Sequence, residues 1–74
     1  MSERLARLTA KQVEAVLSEN GFVLIGQKGS HRKWRHPESR AVLTVPSHSG
    51  RVLPIGTMQQ IVRASGIAKK DWSA

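Results

Sequence analysis

A short basic stretch after a glycine–serine pair carries the residue types in this chain that are best suited to chemistry. His31 follows Gly29-Ser30 directly, and Lys33 and Arg35 come at alternate positions after it. Successive side chains of a β-strand point to opposite faces, so the three long side chains would share one face. An imidazole ionises close to neutral pH. His31 is therefore our candidate general base or general acid, with cations beside it that could hold phosphates.

The alternate positions of the same stretch would form the opposite, packed face. Trp34 is bulky and apolar and belongs in a core, so its face is the one that we expect to be buried. His36 shares that face by parity and is expected to pack at the end of the strand. The face that carries His31 would then stay open to solvent. Lys28, across the turn, is a third candidate for binding phosphate.

The composition favours a polyanionic partner. The chain has 74 residues, with 12 Lys and Arg against 5 Asp and Glu, which gives a net charge of +7. Such an excess on a small body is typical of proteins that bind nucleic acid. This length predicts a single domain over 1–74. Its core is expected at 8–67, followed by a loose tail at 68–74 in which Trp72 is either docked on the body or left for a partner.

Several function classes are disfavoured by what the chain lacks. It has no cysteine, which excludes disulfides, thiolate zinc sites and a cysteine nucleophile. Three scattered histidines do not supply a zinc site, and the lone aspartate, Asp71, gives no support to a Ser-His-Asp hydrolase. We therefore expect no metal and no cofactor. With no long apolar run and no signal-peptide pattern at the start, we expect a cytoplasmic protein without membrane association.

Two amphipathic helices are expected, one on each side of a β-rich middle. The Thr-x-x-Gln run at 9–12 has the spacing of a capping box, and apolar residues then recur at helical intervals until Gly21. The same run at 57–60 predicts a second helix, with Thr57 as its cap and Gly66 at its end. Free N–H groups at a helix start attract phosphate, so Thr57 is also a candidate phosphate ligand.

Three strands are expected between the helices, at 22–25, 30–36 and 40–45. Lys28-Gly29 is predicted to form the hairpin turn between the first two, and a proline-containing turn separates the last two. Short connections favour an antiparallel meander. The sheet has one apolar face, so both helices should pack on that face. The predicted fold is α+β, with the order α-β-β-β-α and a three-stranded antiparallel sheet.

A set of short motifs spread from Thr9 to Ile67 resembles the HicA family of toxins from prokaryotic toxin–antitoxin modules. The motifs are Gly21-Phe22, Gln27-Lys28-Gly29-Ser30-His31, His36-Pro37, Val45-Pro46, Leu53-Pro54-x-Gly56-Thr57 and Ile61. The resemblance implies a fold similar to a double-stranded-RNA-binding domain. It also implies a ribonuclease that cleaves mRNA without the ribosome and is held inactive by a HicB antitoxin. The family's catalytic histidine falls on His31.

The expected function is therefore that of a toxin acting as a metal-independent, ribosome-independent endoribonuclease. His31 would be catalytic, mRNA the substrate, and a HicB-like antitoxin the inhibitory partner that covers His31. An alternative is a non-catalytic RNA-binding module of the same fold, in which His31 is structural. A DNA-binding regulator is disfavoured, because the sheet separates the two helices and leaves no helix-turn-helix. The residues expected to contact RNA are Lys28, Gly29, Ser30, Lys33, Arg35 and Thr57.

Overall fold

The computed structural model describes residues 5–48 and 50–72. The start of the chain, at 1–4, and the last two residues of the predicted tail, 73–74, lie outside these ranges. The predicted order α-β-β-β-α is confirmed, and the sheet is antiparallel with strand order β1-β2-β3. The elements are α1 (Ala10–Glu19), β1 (Val23–Lys28), β2 (His31–Arg35), β3 (Val42–Pro46), α2 (Ile55–Ser65) and a short 3-10 helix (Lys69–Asp71).

The first helix begins with the predicted capping box. The backbone N–H of Gln12 donates to the Thr9 hydroxyl at 3.2 Å, and the backbone N–H of Thr9 donates to the Gln12 side chain at 2.9 Å. These bonds satisfy two backbone groups that a helix start leaves without partners. The helix turns one apolar stripe toward the sheet, formed by Ala10, Val13, Val16 and Leu17.

The hairpin turn between β1 and β2 lies one residue later than predicted. Lys28 pairs with His31, so Gly29-Ser30 form a two-residue turn and β1 continues well past Ile25. Gly29 has a φ of +59°, which glycine adopts at no steric cost and which suits the first position of a tight hairpin turn. A bulge at Ile25 shifts the register within β1. The backbone of β1 pairs with β2 as far as Lys28, although the apolar residues that predicted the strand end at Ile25.

The third strand begins at Val42 and not at residue 40 as predicted. The N–H of His36 donates to Ala41 O at 2.9 Å and closes a four-residue loop. Arg40, at the end of that loop, has a φ of +64°, a left-handed conformation that is incompatible with a strand. The strand therefore begins two residues later than the sequence pattern predicts.

The prediction that Thr57 caps the second helix is wrong. Pro54 is the N-cap residue, no side chain caps this end, and Met58 N–H donates the first helical bond to Pro54 O at 3.0 Å. The fixed φ of proline, here −57°, suits a helix start, so the helix begins two residues before Thr57. The predicted end is confirmed, since Gly66 is left-handed with a φ of +72°.

The tail that was expected to be loose is packed over its described part. Residues 69–71 form a 3-10 helix, and Trp72 is only 1% exposed. Its indole N–H donates to Ile67 O at 3.4 Å. Burying so large an apolar surface stabilises a domain of this size, which has little core to spare. Trp72 joins the core residues Leu8, Val13, Leu17, Phe22, Trp34, Leu43, Val45, Leu53, Met58 and Ile61.

Candidate active site on the open face of the sheet

The alternation predicted along β2 is present. His31, Lys33 and Arg35 are all exposed, whereas Trp34 between them is 8% exposed and belongs to the core. Helices α1 and α2 cover the side of the sheet that carries Trp34, as the buried stripes of both helices show. We call the uncovered side the open face. The register brings the three β2 residues together on it.

The turn end of the open face surrounds His31 with groups from both neighbouring strands. Its cross-strand partner on β1 is Lys28, and its partner on β3 is Pro46. Directly paired residues in a sheet have Cβ atoms about 4.5–5.5 Å apart. The N–H of Ser47 donates to Ser30 O at 2.7 Å, which continues the pairing beyond β3. Both sides of the turn are thus held by the main chain, with one cation directly beside the imidazole.

In the middle of the open face, β1 carries a glycine and no side chain. Lys33 pairs with Gly26 on β1 and with Thr44 on β3. A Cβ placed on Gly26 would meet nothing within 4 Å, so the space above this position is empty. A ligand backbone could therefore lie across β1 next to Lys33.

The far end of the open face is apolar around a single cation. Arg35 pairs with Val23 on β1 and Val42 on β3, and these valines are 50% and 44% exposed. Ile25, at the bulge of β1, is also exposed, at 51%. Exposed aliphatic side chains grouped in this way are typical of surfaces that contact another molecule.

Within the described residues, no carboxylate forms an ion pair with an open-face cation. Within residues 5–48 and 50–72, the ion pair between Arg32 and Glu14 is the only one between side chains, and it lies on the packed face. Lys28, Lys33 and Arg35 are exposed and make no ion pair in this part of the chain. They remain free to bind an external anion.

Glu14 anchors β2 from behind, and sequence reasoning did not single it out. One oxygen of its carboxylate, Oε2, accepts from Arg32 Nε and also from Trp34 Nε1, the latter at 2.7 Å. A usable signal was present in the helix pattern. Glu14 lies four residues after Ala10 and three before Leu17, and therefore on the buried stripe. A carboxylate in that position requires a buried partner.

The other two histidines lie outside β2. His36 packs edge-to-face against Phe22 with ring centroids 5.1 Å apart, and its Nδ1 accepts from the backbone N–H groups of Glu38 and Ser39, each at 3.2 Å. Its predicted packing role is confirmed. His48 is exposed in the loop after β3, where it lines a cleft of about 310 Å³ with the start of α1.

Thr57 is separated from the other predicted RNA contacts. It lies in the first turn of α2, in the helical layer, whereas Lys28, Lys33 and Arg35 lie on the opposite side of the sheet. Among the described residues, no three His, Asp or Glu side chains gather into a group that could hold a metal ion. In the same part of the chain no helix is both long enough and apolar enough to cross a membrane.

A three-stranded antiparallel sheet with two helices on one side and a cationic open side defines a small α+β protein that is similar in fold to a double-stranded-RNA-binding domain. Comparison with protein families then gives a more specific assignment. The family model described as "HicA toxin of bacterial toxin-antitoxin" matches residues 10–67, which is most of the chain. The chain belongs to this family and is a toxin of a toxin–antitoxin system. A comparison with curated proteins found no match.

Proposed function

We propose that this HicA-family toxin is an endoribonuclease that cleaves mRNA without a metal ion and without the ribosome, with His31 as general base or general acid. One observation carries the proposal. The exposed imidazole of His31 shares an uncovered sheet face with Lys33 and Arg35, none of which is masked by an acidic group in the described chain.

The chemistry requires little from the protein. RNA carries its own nucleophile, since the 2′-hydroxyl can attack the adjacent phosphorus and expel the 5′-oxygen, leaving a 2′,3′-cyclic phosphate and a 5′-hydroxyl. The protein must take a proton from the 2′-oxygen, stabilise negative charge on the phosphoryl oxygens, or protonate the leaving oxygen. His31 can perform the first or the last of these steps. One such positioned group is worth about 10²–10⁴ in rate.

Lys28 and Lys33 are the groups that we assign to charge stabilisation. Lys28 is the direct cross-strand neighbour of His31, and Lys33 is the next residue along β2 on the same face. Their ammonium groups can approach the phosphoryl oxygens beside the imidazole. Gly29 and Ser30 form the exposed turn next to His31, where a nucleotide can approach the backbone closely. Arg35, two residues beyond Lys33 on the same face, would bind a neighbouring phosphate.

Thr57 would contact RNA through its backbone. Its backbone N–H precedes the first helical hydrogen bond of α2, and such groups attract phosphate. Because Thr57 lies in the helical layer, it would contact a part of the RNA that extends beyond the sheet. We expect its contribution to be smaller than that of any open-face cation.

The proposed partner is a HicB-like antitoxin that inhibits the toxin by covering His31. Two features of the open face support this. Its cations form no ion pair within the described ranges and are complementary to acidic groups. The exposed Val23, Ile25 and Val42 offer apolar area for a stable complex. Adding the cognate antitoxin should stop cleavage and displace fluorescently labelled RNA at the same concentration. Inhibition with RNA still bound would contradict this mode.

The nuclease proposal is tested by cleavage of a single-stranded RNA in the presence of EDTA. We expect products with cyclic phosphate and 5′-hydroxyl ends, and no cleavage of the same oligonucleotide with 2′-deoxyribose throughout. Cleavage of the deoxy substrate, or a requirement for added divalent metal, would contradict the proposed reaction. A passive RNA-binding module, the alternative function, would bind RNA with salt-dependent affinity and leave it intact.

The assignment of His31 is tested by comparing His31→Ala with His48→Ala. Both histidines are exposed, and His48 lies on the loop that follows β3. We expect His31→Ala to lose cleavage while its RNA affinity and thermal stability are retained. Loss in His48→Ala with activity retained in His31→Ala would transfer the proton-transfer role to the loop.

A further inference from the structure

A chain of side-chain hydrogen bonds runs from α1 to the turn that carries His31. It begins at Glu14 Oε2, which accepts from Arg32 Nε. Arg32 extends its Nη1 to Gln27 Oε1 at 3.0 Å, and Gln27 Nε2 donates to the carbonyl oxygen of Gly29 at 3.2 Å. The links join α1, β2, β1 and the turn in that order. Each group in the chain donates or accepts in the direction that its chemistry allows.

This series of hydrogen bonds is largely buried at Glu14 and exposed at the turn. The Glu14 side chain is 16% exposed and also holds Trp34, a core residue, whereas Gln27 and Gly29 are exposed. A Cβ placed on Gly29 would meet nothing within 4 Å, so no side chain packs closely over this residue, although the N–H of Ser47 holds the neighbouring Ser30 O. In addition to the backbone pairing of β1 with β2, the hydrogen bond from the Gln27 side chain restrains the carbonyl group of Gly29.

We propose that Glu14, Arg32 and Gln27 are positioning residues for His31. They hold the Gly29-Ser30 turn, and with it the start of β2, in the orientation that presents the imidazole to RNA. The inference rests on the proposed nuclease function, because its effect on activity is read through His31. None of the three residues needs to touch the substrate.

Arginine suits the middle position for a geometric reason. Its planar guanidinium presents several N–H donors in a fixed arrangement, so one arm reaches Glu14 while another reaches Gln27. A lysine in its place would keep the charge opposite Glu14 but could not make both bonds in the same geometry. The ion pair and the positioning role are therefore separable by substitution.

The first test is Gln27→Ala, because an exposed side chain can be removed without opening the core. Small displacements of a catalytic group reduce turnover steeply, so we expect kcat to fall about 10–100-fold. KM should change less than about threefold, since the phosphate-binding cations are untouched. Gln59→Ala, at an exposed position on α2, is the matched control and should behave as wild type. Unchanged kcat in Gln27→Ala would overturn the proposal.

The second test separates the ion pair from the network. Arg32→Lys should lose kcat to an extent similar to Gln27→Ala, although its charge is conserved. Glu14→Gln should also lose kcat, whereas Glu19→Gln, at an exposed position of the same helix, should not. Wild-type kcat in Arg32→Lys would show that the ion pair alone suffices and would overturn the positioning role.

A measurement without RNA keeps this proposal distinct from the nuclease proposal. The Gly29 amide should have a ¹⁵N order parameter near 0.85 in the wild type and should fall toward 0.6 in Gln27→Ala, as expected for a released turn. If the wild type fails to cleave RNA, the nuclease proposal fails. The order parameter of the Gly29 amide still tests whether the hydrogen bonds hold the turn, because it is measured without RNA. An order parameter unchanged by Gln27→Ala would overturn the network.

Discussion

The two faces of β2 use similar residues for opposite purposes. On the packed face, Arg32 is neutralised by Glu14, and Trp34 lies in the core and donates to the same carboxylate. On the open face, Lys33 and Arg35 have no acidic partner in the described chain. A cation with an internal partner is part of the structure, whereas a cation without one is available for a ligand. The comparison therefore separates the β2 cation that has an internal partner from the two that are exposed to an external anion.

The physical reason for this division is the cost of burial. A charged group that loses part of its contact with water is stabilised by pairing and hydrogen bonding, and the partly buried Arg32 has both, through Glu14 and Gln27. The open face has no such requirement, because water solvates its exposed cations. Lys33 and Arg35 can therefore lie on the open face without an acidic partner in the described chain.

The largest expected effect is on the open face, in His31→Ala. Removing a positioned proton-transfer group should lower the cleavage rate about 10²–10⁴-fold. Because His31 is exposed, its removal should leave the melting temperature within a few degrees of wild type. The measurement is single-turnover cleavage, with circular dichroism melting as the control. A variant that is both folded and fully active would break the functional half of the comparison.

The next largest effect is on the packed face, in Trp34→Ala. Truncating a core tryptophan costs about 3–5 kcal/mol, and here the loss also removes one donor to Glu14. The adjacent Lys33→Ala should change stability by less than about 0.5 kcal/mol. Urea unfolding of both variants measures the contrast. Similar losses of stability in the two would contradict the assignment of faces.

A smaller effect is expected on RNA affinity from the open-face cations. Each single-strand phosphate contact contributes about 0.7 to the slope of log affinity against log salt. Lys33→Ala and Arg35→Ala, combined in an otherwise inactive His31→Ala background, should therefore reduce the slope by about 1.4. Arg63→Ala, in the helical layer, serves as the control and should change the slope less. Equal effects would show that RNA does not distinguish the two sides of the protein.

The smallest effect is expected in the loop between β2 and β3, which belongs to neither face. Arg40 holds a φ of +64°. A left-handed conformation costs a non-glycine residue roughly 1–2 kcal/mol, part of which Arg40→Gly would regain against the greater freedom of the unfolded chain. We expect a gain below about 1 kcal/mol in urea unfolding, with unchanged cleavage. Destabilisation would mean that the Arg40 side chain makes a contribution of its own.

The predictions from sequence succeeded where local geometry decides and failed where distant residues meet. Alternation along β2 and the capping box at Thr9 were both confirmed, because each depends on a few neighbouring residues. The prediction that Thr57 caps α2 was wrong. The Thr-x-x-Gln pattern at 57–60 indicated a helix start there, whereas the helix begins directly after Pro54. The tail was expected to be loose, with Trp72 either docked or free for a partner, and the structure shows Trp72 docked in the core.

The sequence by itself determined the order of elements, the excess of positive charge, the faces of β2 and the likeness to the HicA family. These properties are written in composition and in the periodicity of side chains along a regular backbone. Only the tertiary structure decided which cation of β2 is neutralised and which side chain is hydrogen-bonded to the Gly29-Ser30 turn. Glu14 reaches Arg32 and Trp34 across separations of 18 and 20 residues. Contacts at that range depend on how the helix lies against the sheet, which no local pattern encodes.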